Sequence, residues 1–206
     1  MISRLTGTRC RAGLALAAFG VLGCCIAVRA MAQTVEASES HSRWWGDVAL
    51  GVASLHTDAA PSGGDSRTGW VFDVAGGMRI GSHWLVGLEL GGIGIEAYNL
   101  YDDTQGQSLG HVFAMAQYHA AMSTGWFAHI GAGWSSYTDN GFDGYLRQGD
   151  GWGAELGFGY EWRVAQWSLV TVLARYEMGH ISLDNSGFGN DYDYRAPKLS
   201  VSWSFR

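Results

Sequence analysis

Gly151-Trp152-Gly153-Ala154-Glu155-Leu156-Gly157-Phe158-Gly159-Tyr160-Glu161-Trp162 alternates strictly between two kinds of residue. Trp152, Ala154, Leu156, Phe158, Tyr160 and Trp162 are apolar; between them stand only glycine and two glutamates. Successive side chains of a strand point to opposite faces, so this strand has one greasy face and one small or acidic face. A sheet in water would cover its outer side with polar side chains, not with a row of glycines. A transmembrane barrel reverses the arrangement, because lipid lies outside and a cramped polar lumen lies inside.

The chain start explains how such a protein reaches a membrane. Arg4, Arg9 and Arg11 precede an apolar run from Ala12 to Val28, and Ala30-Met31-Ala32 gives the small-x-small pattern of a cleavage site before Gln33. Residues 1–32 are therefore read as a secretory signal peptide and residues 33–42 as a short polar segment, with the barrel filling residues 43–206. All three cysteines, Cys10, Cys24 and Cys25, fall within the leader, which removes disulfide and thiol chemistry from the mature chain. The leader also takes four basic residues and no acid. Nine Lys and Arg then face nineteen Asp and Glu, a net charge of −10, which argues against a nucleic-acid partner.

Alternation and turn residues predict eight strands: Trp44–His56, Gly69–Ile80, Trp84–Tyr98, Leu109–Met122, Trp126–Tyr137, Gly151–Arg163, Trp167–His180 and Tyr194–Phe205. Each is long enough for the roughly 9–11 residues of a tilted membrane strand. Short connections (Gly81-Ser82-His83, Ser123-Thr124-Gly125, Val164-Ala165-Gln166) alternate with long polar ones (Thr57–Thr68, Asn99–Ser108, Thr138–Asp150, Ile181–Asp193). That asymmetry puts both chain ends on the periplasmic side. The fold class is all-β, an eight-stranded antiparallel up-and-down transmembrane barrel. Two aromatic girdles are expected, one of Trp44, Trp84, Trp126, Trp162, Trp167 and Trp203, the other of Tyr98, Tyr137, Trp152, Tyr176 and Tyr194. Gly91-Gly92 interrupts the third strand and is expected to mark a bulge.

Charges on the inward face require partners. Pairing around Val164–Gln166 sets Glu155 opposite Arg175, and pairing around Gly187 sets Glu177 opposite Lys198; Asp73, Arg79 and Glu89 would extend this network. Eight strands leave room only for side chains, so the lumen is expected to be plugged. His119 and His129 flank a turn and would meet inside it, without the further ligands a metal centre needs. The reading includes no metal and no cofactor.

The leader, the alternating strands and the ending Leu199-Ser200-Val201-Ser202-Trp203-Ser204-Phe205 resemble the small outer-membrane β-barrels of Gram-negative bacteria, of the OmpA and OmpX type. The resemblance implies residence in the bacterial outer membrane among lipid and lipopolysaccharide, and insertion by the barrel-assembly machinery through the C-terminal strand. Arg206 after Phe205 departs from the family's habit of ending on an aromatic residue.

Gly179-His180-Ile181-Ser182 supplies the one enzymatic hint. His180 and Ser182 share the lipid-facing parity of Val172 and Tyr176, and Asp193 shares that of Leu199 and Val201. A hydroxyl, an imidazole and a carboxylate are the parts of an acyl hydrolase. The arrangement resembles lipid A 3-O-deacylase, which implies Ser182 as nucleophile, His180 as base and Asp193 as orienting acid. Leu183 stands where that family has Asn, and Asp191 or Asp193 where it has Glu. The long loops also gather acid: Asp58 and Asp65; Asp102 and Asp103; Asp139, Asp143 and Asp150; Asp184, Asp191 and Asp193. The favoured role is non-enzymatic, a barrel displaying acidic loops to an extracellular partner; the alternative is an outer-leaflet lipid A acyl-ester hydrolase.

Overall fold

A computed structural model of the chain describes residues 44–58, 65–98, 104–120, 125–140, 146–183 and 191–206. The leader, the 33–42 segment and the loop acids Asp102, Asp103, Asp143 and Asp184 lie outside the described residues. Eight strands follow one another: β1 (Trp44–Thr57), β2 (Asp65–Ile80), β3 (Trp84–Tyr98), β4 (Thr104–His119), β5 (Gly125–Asn140), β6 (Leu146–Ala165), β7 (Ser168–Leu183) and β8 (Tyr192–Phe205). Each pairs antiparallel with its chain neighbours, and β8 returns to β1 with Gly46 opposite Phe205, closing the barrel. Closure leaves no unpaired edge, the condition for holding peptide groups in hydrocarbon.

The faces follow the alternation. Trp152, Leu156, Phe158 and Trp162 point outward, while Gly153, Glu155 and Glu161 are buried inside. Around one end, Trp44, Trp84, Trp126, Trp162, Trp167 and Trp203 form an outward girdle. At the other end of the apolar band stand Trp70, Trp134, Trp152 and Tyr176. Tyr137 and Tyr194 are not in that girdle. They turn into the lumen and are 5% and 1% exposed.

The strands exceed the sequence expectation at the loop end, with β1 and β8 of 14 residues and β6 of 20, against the roughly 9–11 that a bilayer needs. Antiparallel ladders continue upward because each added pair satisfies backbone groups that would otherwise depend on solvent. Above the band the binary pattern inverts. Outward positions become Ser54, Ser66, Thr68, Ser108, Ser136, Gln148 and Ser182, and the inward ones become Leu55, Val71, Ile93, Ile95, Leu109, Tyr137, Ile181, Tyr192 and Tyr194, a single apolar cluster. The barrel leaves lipid as a small water-type barrel with its own core.

Four local expectations are corrected. The turn between β6 and β7 lies at Gln166-Trp167, with a register irregularity between Arg163 and Ala165. Glu155 therefore stands opposite Glu177, and Arg175 opposite Gly157. Between β7 and β8 the pairs are Arg175 with Lys198 and Glu177 with Ala196. No bulge occurs at Gly91-Gly92, whose pairing on both sides is regular. Gly91 is small for another reason: a Cβ there would collide with the Asp73 carboxylate. β4 ends at His119, short of the expected Met122.

The glycine face of β6 has the same purpose. A Cβ on Gly153 would overlap the Tyr194 hydroxyl and Ser135 Oγ, and one on Gly159 would overlap the Phe127 ring. Bulky side chains from other strands use the space that β6 leaves. Gly153→Val should destabilise the barrel by about 1–3 kcal/mol through overpacking, seen as a lower urea midpoint, while the outward Ala132→Val should change it by no more than about 0.5 kcal/mol.

Candidate functional site

Below the apolar plug, five strands direct charged side chains into one buried layer. Arg175 of β7 is its centre. Its guanidinium donates to Glu89 of β3 at 2.6 Å, pairs with Asp73 of β2, and lies 3.5 Å from Glu155 of β6. Lys198 of β8 sits between Glu155 Oε2 at 2.8 Å and Glu177 Oε2 at 2.7 Å. Both cations thus reach the carboxylates that the sequence paired with them, diagonally across the ladder and not directly opposite. A guanidinium with five donors can serve three carboxylates at once where an ammonium could not match the geometry.

Two histidines complete the layer. His129 Nε2 is 2.6 Å from Glu155 Oε1, and His111 Nε2 is 3.2 Å from Glu89 Oε1, its Nδ1 being 3.5 Å from Glu177 Oε2. The Tyr194 hydroxyl donates to Glu177 at 2.9 Å and is 2.7 Å from Ser135 Oγ, so one side chain joins the apolar plug to the ionic layer. Arg79 takes no part: it is exposed and donates to the Gly81 carbonyl at 3.2 Å.

Asp73, Glu89 and His111, and likewise Glu89, His129 and Glu155, bring three ligand atoms within metal-binding reach. The Arg175 guanidinium, 2.6 Å from Glu89 and 3.5 Å from Glu155, already supplies the positive charge between the members of the second set. Guanidinium and divalent ion are competing solutions to the same repulsion among carboxylates.

A second polar group closes the turn end. Arg206 folds its side chain back to Glu161, with Nη1 to Oε2 at 2.9 Å, and His119 Nδ1 is 3.5 Å from the same Oε2. His119 Nε2 meets Gln117 at 3.1 Å, so His119 and His129 do not meet; each turns to its own carboxylate. Ser202 donates to Asp47 at 2.7 Å, and Ser204 donates to the same oxygen, joining β8 to β1. His111 and Asp47 escape the sequence reading, although each shares its strand's inward parity; Glu161 is on the acidic face that the sequence shows, but without a partner.

On the outer surface at the loop end, His180 and Asp193 are directly opposite in the β7–β8 ladder. His180 Nδ1 is 2.9 Å from Asp193 Oδ1, and Nε2 is 3.7 Å from Asp191 Oδ2. Ser182 lies two residues along on the same outward face, opposite Asp150 of β6, and makes no hydrogen bond to His180. The base and the acid are together; the hydroxyl is beside them and separate.

The family described as the outer membrane protein beta-barrel domain matches residues 17–205. Among solved structures, the chain is similar to Neisserial surface protein A, at 16% identity with a TM-score of 0.48, over 80% of this chain and 97% of that one. It is also similar to Ail, the attachment invasion locus protein of Yersinia pestis, at 11% identity with a TM-score of 0.48, over 80% and 100% of the two chains. OprG of Pseudomonas aeruginosa matches at 15% identity with a TM-score of 0.43, over 80% and 96%. No curated protein matches the chain.

Removing Arg175 should leave Asp73, Glu89 and Glu155 facing one another without their shared cation. Arg175→Met is expected to cost about 3–5 kcal/mol, the usual penalty for stranding buried charge. Adding Glu89→Gln to that variant should recover part of the loss, measured by urea unfolding in detergent micelles with tryptophan fluorescence as the signal.

Proposed function

Because the chain belongs to the outer membrane protein beta-barrel domain family and is an outer-membrane β-barrel, we propose that it acts without catalysis, as a sealed barrel that presents its polar loop end to a partner outside the cell. The observation that carries this reading is the blocked lumen. An apolar cluster from Leu55, Ile93, Leu109, Ile181 and Tyr192 lies across it, over a layer of paired charges. Opening a path would mean exposing that cluster and unpairing those ions together. Strands that continue above the apolar band as a polar-surfaced barrel favour display over transport. The acids of the loops, with Asp58, Asp191 and Asp193 at the described rim, give that surface a negative character.

Lipopolysaccharide surrounds this rim, and the barrel-assembly machinery is the partner that inserts it through β8; both belong to this reading. The display role is tested by placing a photo-crosslinking residue at Ser136 and Gln148 in intact cells. Adducts with an extracellular ligand or protein are expected at one or both. Unit conductance steps from the purified barrel in planar bilayers, or no adduct at any rim position, would overturn it.

One observation favours a second reading, the His180–Asp193 hydrogen bond on the outer surface at the loop end. In an acyl hydrolase, Ser182 Oγ would attack an ester carbonyl and pass its proton to His180 Nε2; the ester C–O bond would break, the alcohol leaving with that proton, and water, deprotonated by His180, would then release the acyl group as a carboxylic acid and restore the serine. Ser182 would have to turn toward His180 for this. Mass spectrometry of lipid A from expressing cells decides it: unchanged lipid A is expected, whereas loss of an acyl chain with the wild type and not with Ser182→Ala would establish the hydrolase.

A further inference from the structure

Between the ionic layer and the Arg206–Glu161 pair lies a small cavity of about 10 Å³, with Trp45, Asp47, Thr171, Arg175, Ser202 and Arg206 in its wall. That is the space of one water-sized sphere. Trp45, Thr171 and Arg175 are 5%, 2% and 4% exposed, yet Trp45 Nε1, Thr171 Oγ1 and Arg175 Nε meet no partner in the protein. Arg206 Nε is in the same position. Each of these groups carries an N–H or O–H, and a buried donor without an acceptor is costly. Several such donors around one small cavity call for an occupant that accepts.

Charge selects among acceptors. The wall holds the carboxylates of Asp47, Glu89 and Glu161 against the guanidinium groups of Arg175 and Arg206, one more negative than positive, which opposes an anion. A cation would meet the positive ends of the donors. A neutral molecule that accepts from Trp45 or Arg175 and donates to a carboxylate meets both demands. We propose that this cavity is a binding site for a single, tightly held water molecule that links the Arg175 layer to the Asp47–Ser202–Ser204 contact. Since Asp47 belongs to β1, Thr171 to β7 and Ser202 and Ser204 to β8, the water ties together the strands that close the barrel.

Nuclear magnetic resonance of the nitrogen-15-labelled barrel in micelles tests this directly. The Trp45 indole N–H, assigned by its disappearance in Trp45→Phe, should show a cross-peak to water with the sign of a long-lived bound molecule. Thr171→Val should reduce that cross-peak while the remaining indole signals stay in place. A folded wild-type barrel whose Trp45 indole proton shows no water cross-peak would overturn the proposal. So would crystals soaked in bromide that give an anomalous peak in the cavity, since the occupant would then be an anion.

Discussion

In hydrocarbon every peptide N–H and C=O must be bonded within the protein, and the rest of this molecule depends on that constraint. A sheet can meet it only by closing on itself, and the β1–β8 ladder from Gly46–Phe205 to Thr57–Tyr194 completes the ring. With the ring closed at eight strands, the interior is too narrow for anything but side chains. The consequence is a crowding problem inside and an exposed apolar surface outside. The tryptophan girdle at the turn end and the glycine row on β6 answer these two problems on opposite faces of the same strands.

The crowding determines the chemistry of the lumen. Glycines at positions 91, 153 and 159 make room for Asp73, Tyr194 and Phe127 from other strands. Buried carboxylates are tolerable only with cations close by, and Arg175 and Lys198 are reached by four of them between them. Such a layer contributes more to a unique arrangement of strands than to net stability, because desolvation offsets much of the attraction. Tyr194 connects it to the apolar plug, so the two halves of the interior are a continuous packed column. A barrel filled in this way has no open path through its described interior.

The rim has a different physical character from the band beneath it. Where lipid ends, the outward positions turn to serine, threonine and glutamine, and the inward ones to leucine, isoleucine and tyrosine. The change follows the solvent: the same parity that hides polar groups from lipid hides apolar groups from water. His180 and Asp193 lie in the transition, hydrogen-bonded to each other on the surface. Their meeting follows from ladder register alone, since they face one another across β7 and β8.

Period-two alternation by itself determined the number of strands, their antiparallel order, and which residues face lipid within the band, because a strand's two faces are fixed by covalent geometry. It also identified Glu155, Arg175, Glu177 and Lys198 as inward charges. Their partners it could not give, since register depends on where each turn closes: a turn at Gln166-Trp167, with the irregularity between Arg163 and Ala165, moved the β6–β7 pairs from Arg163–Leu169 onward by two. Tyr137 and Tyr194 looked like girdle residues because sequence places aromatics near strand ends without showing where lipid stops. His111, Asp47 and Glu161 gained their significance only when β2, β3, β4, β7, β8 and Arg206 brought partners across the lumen. Alternation is a local property of one strand; the network, the plug and the rim are made between strands, and only the closed barrel decides them.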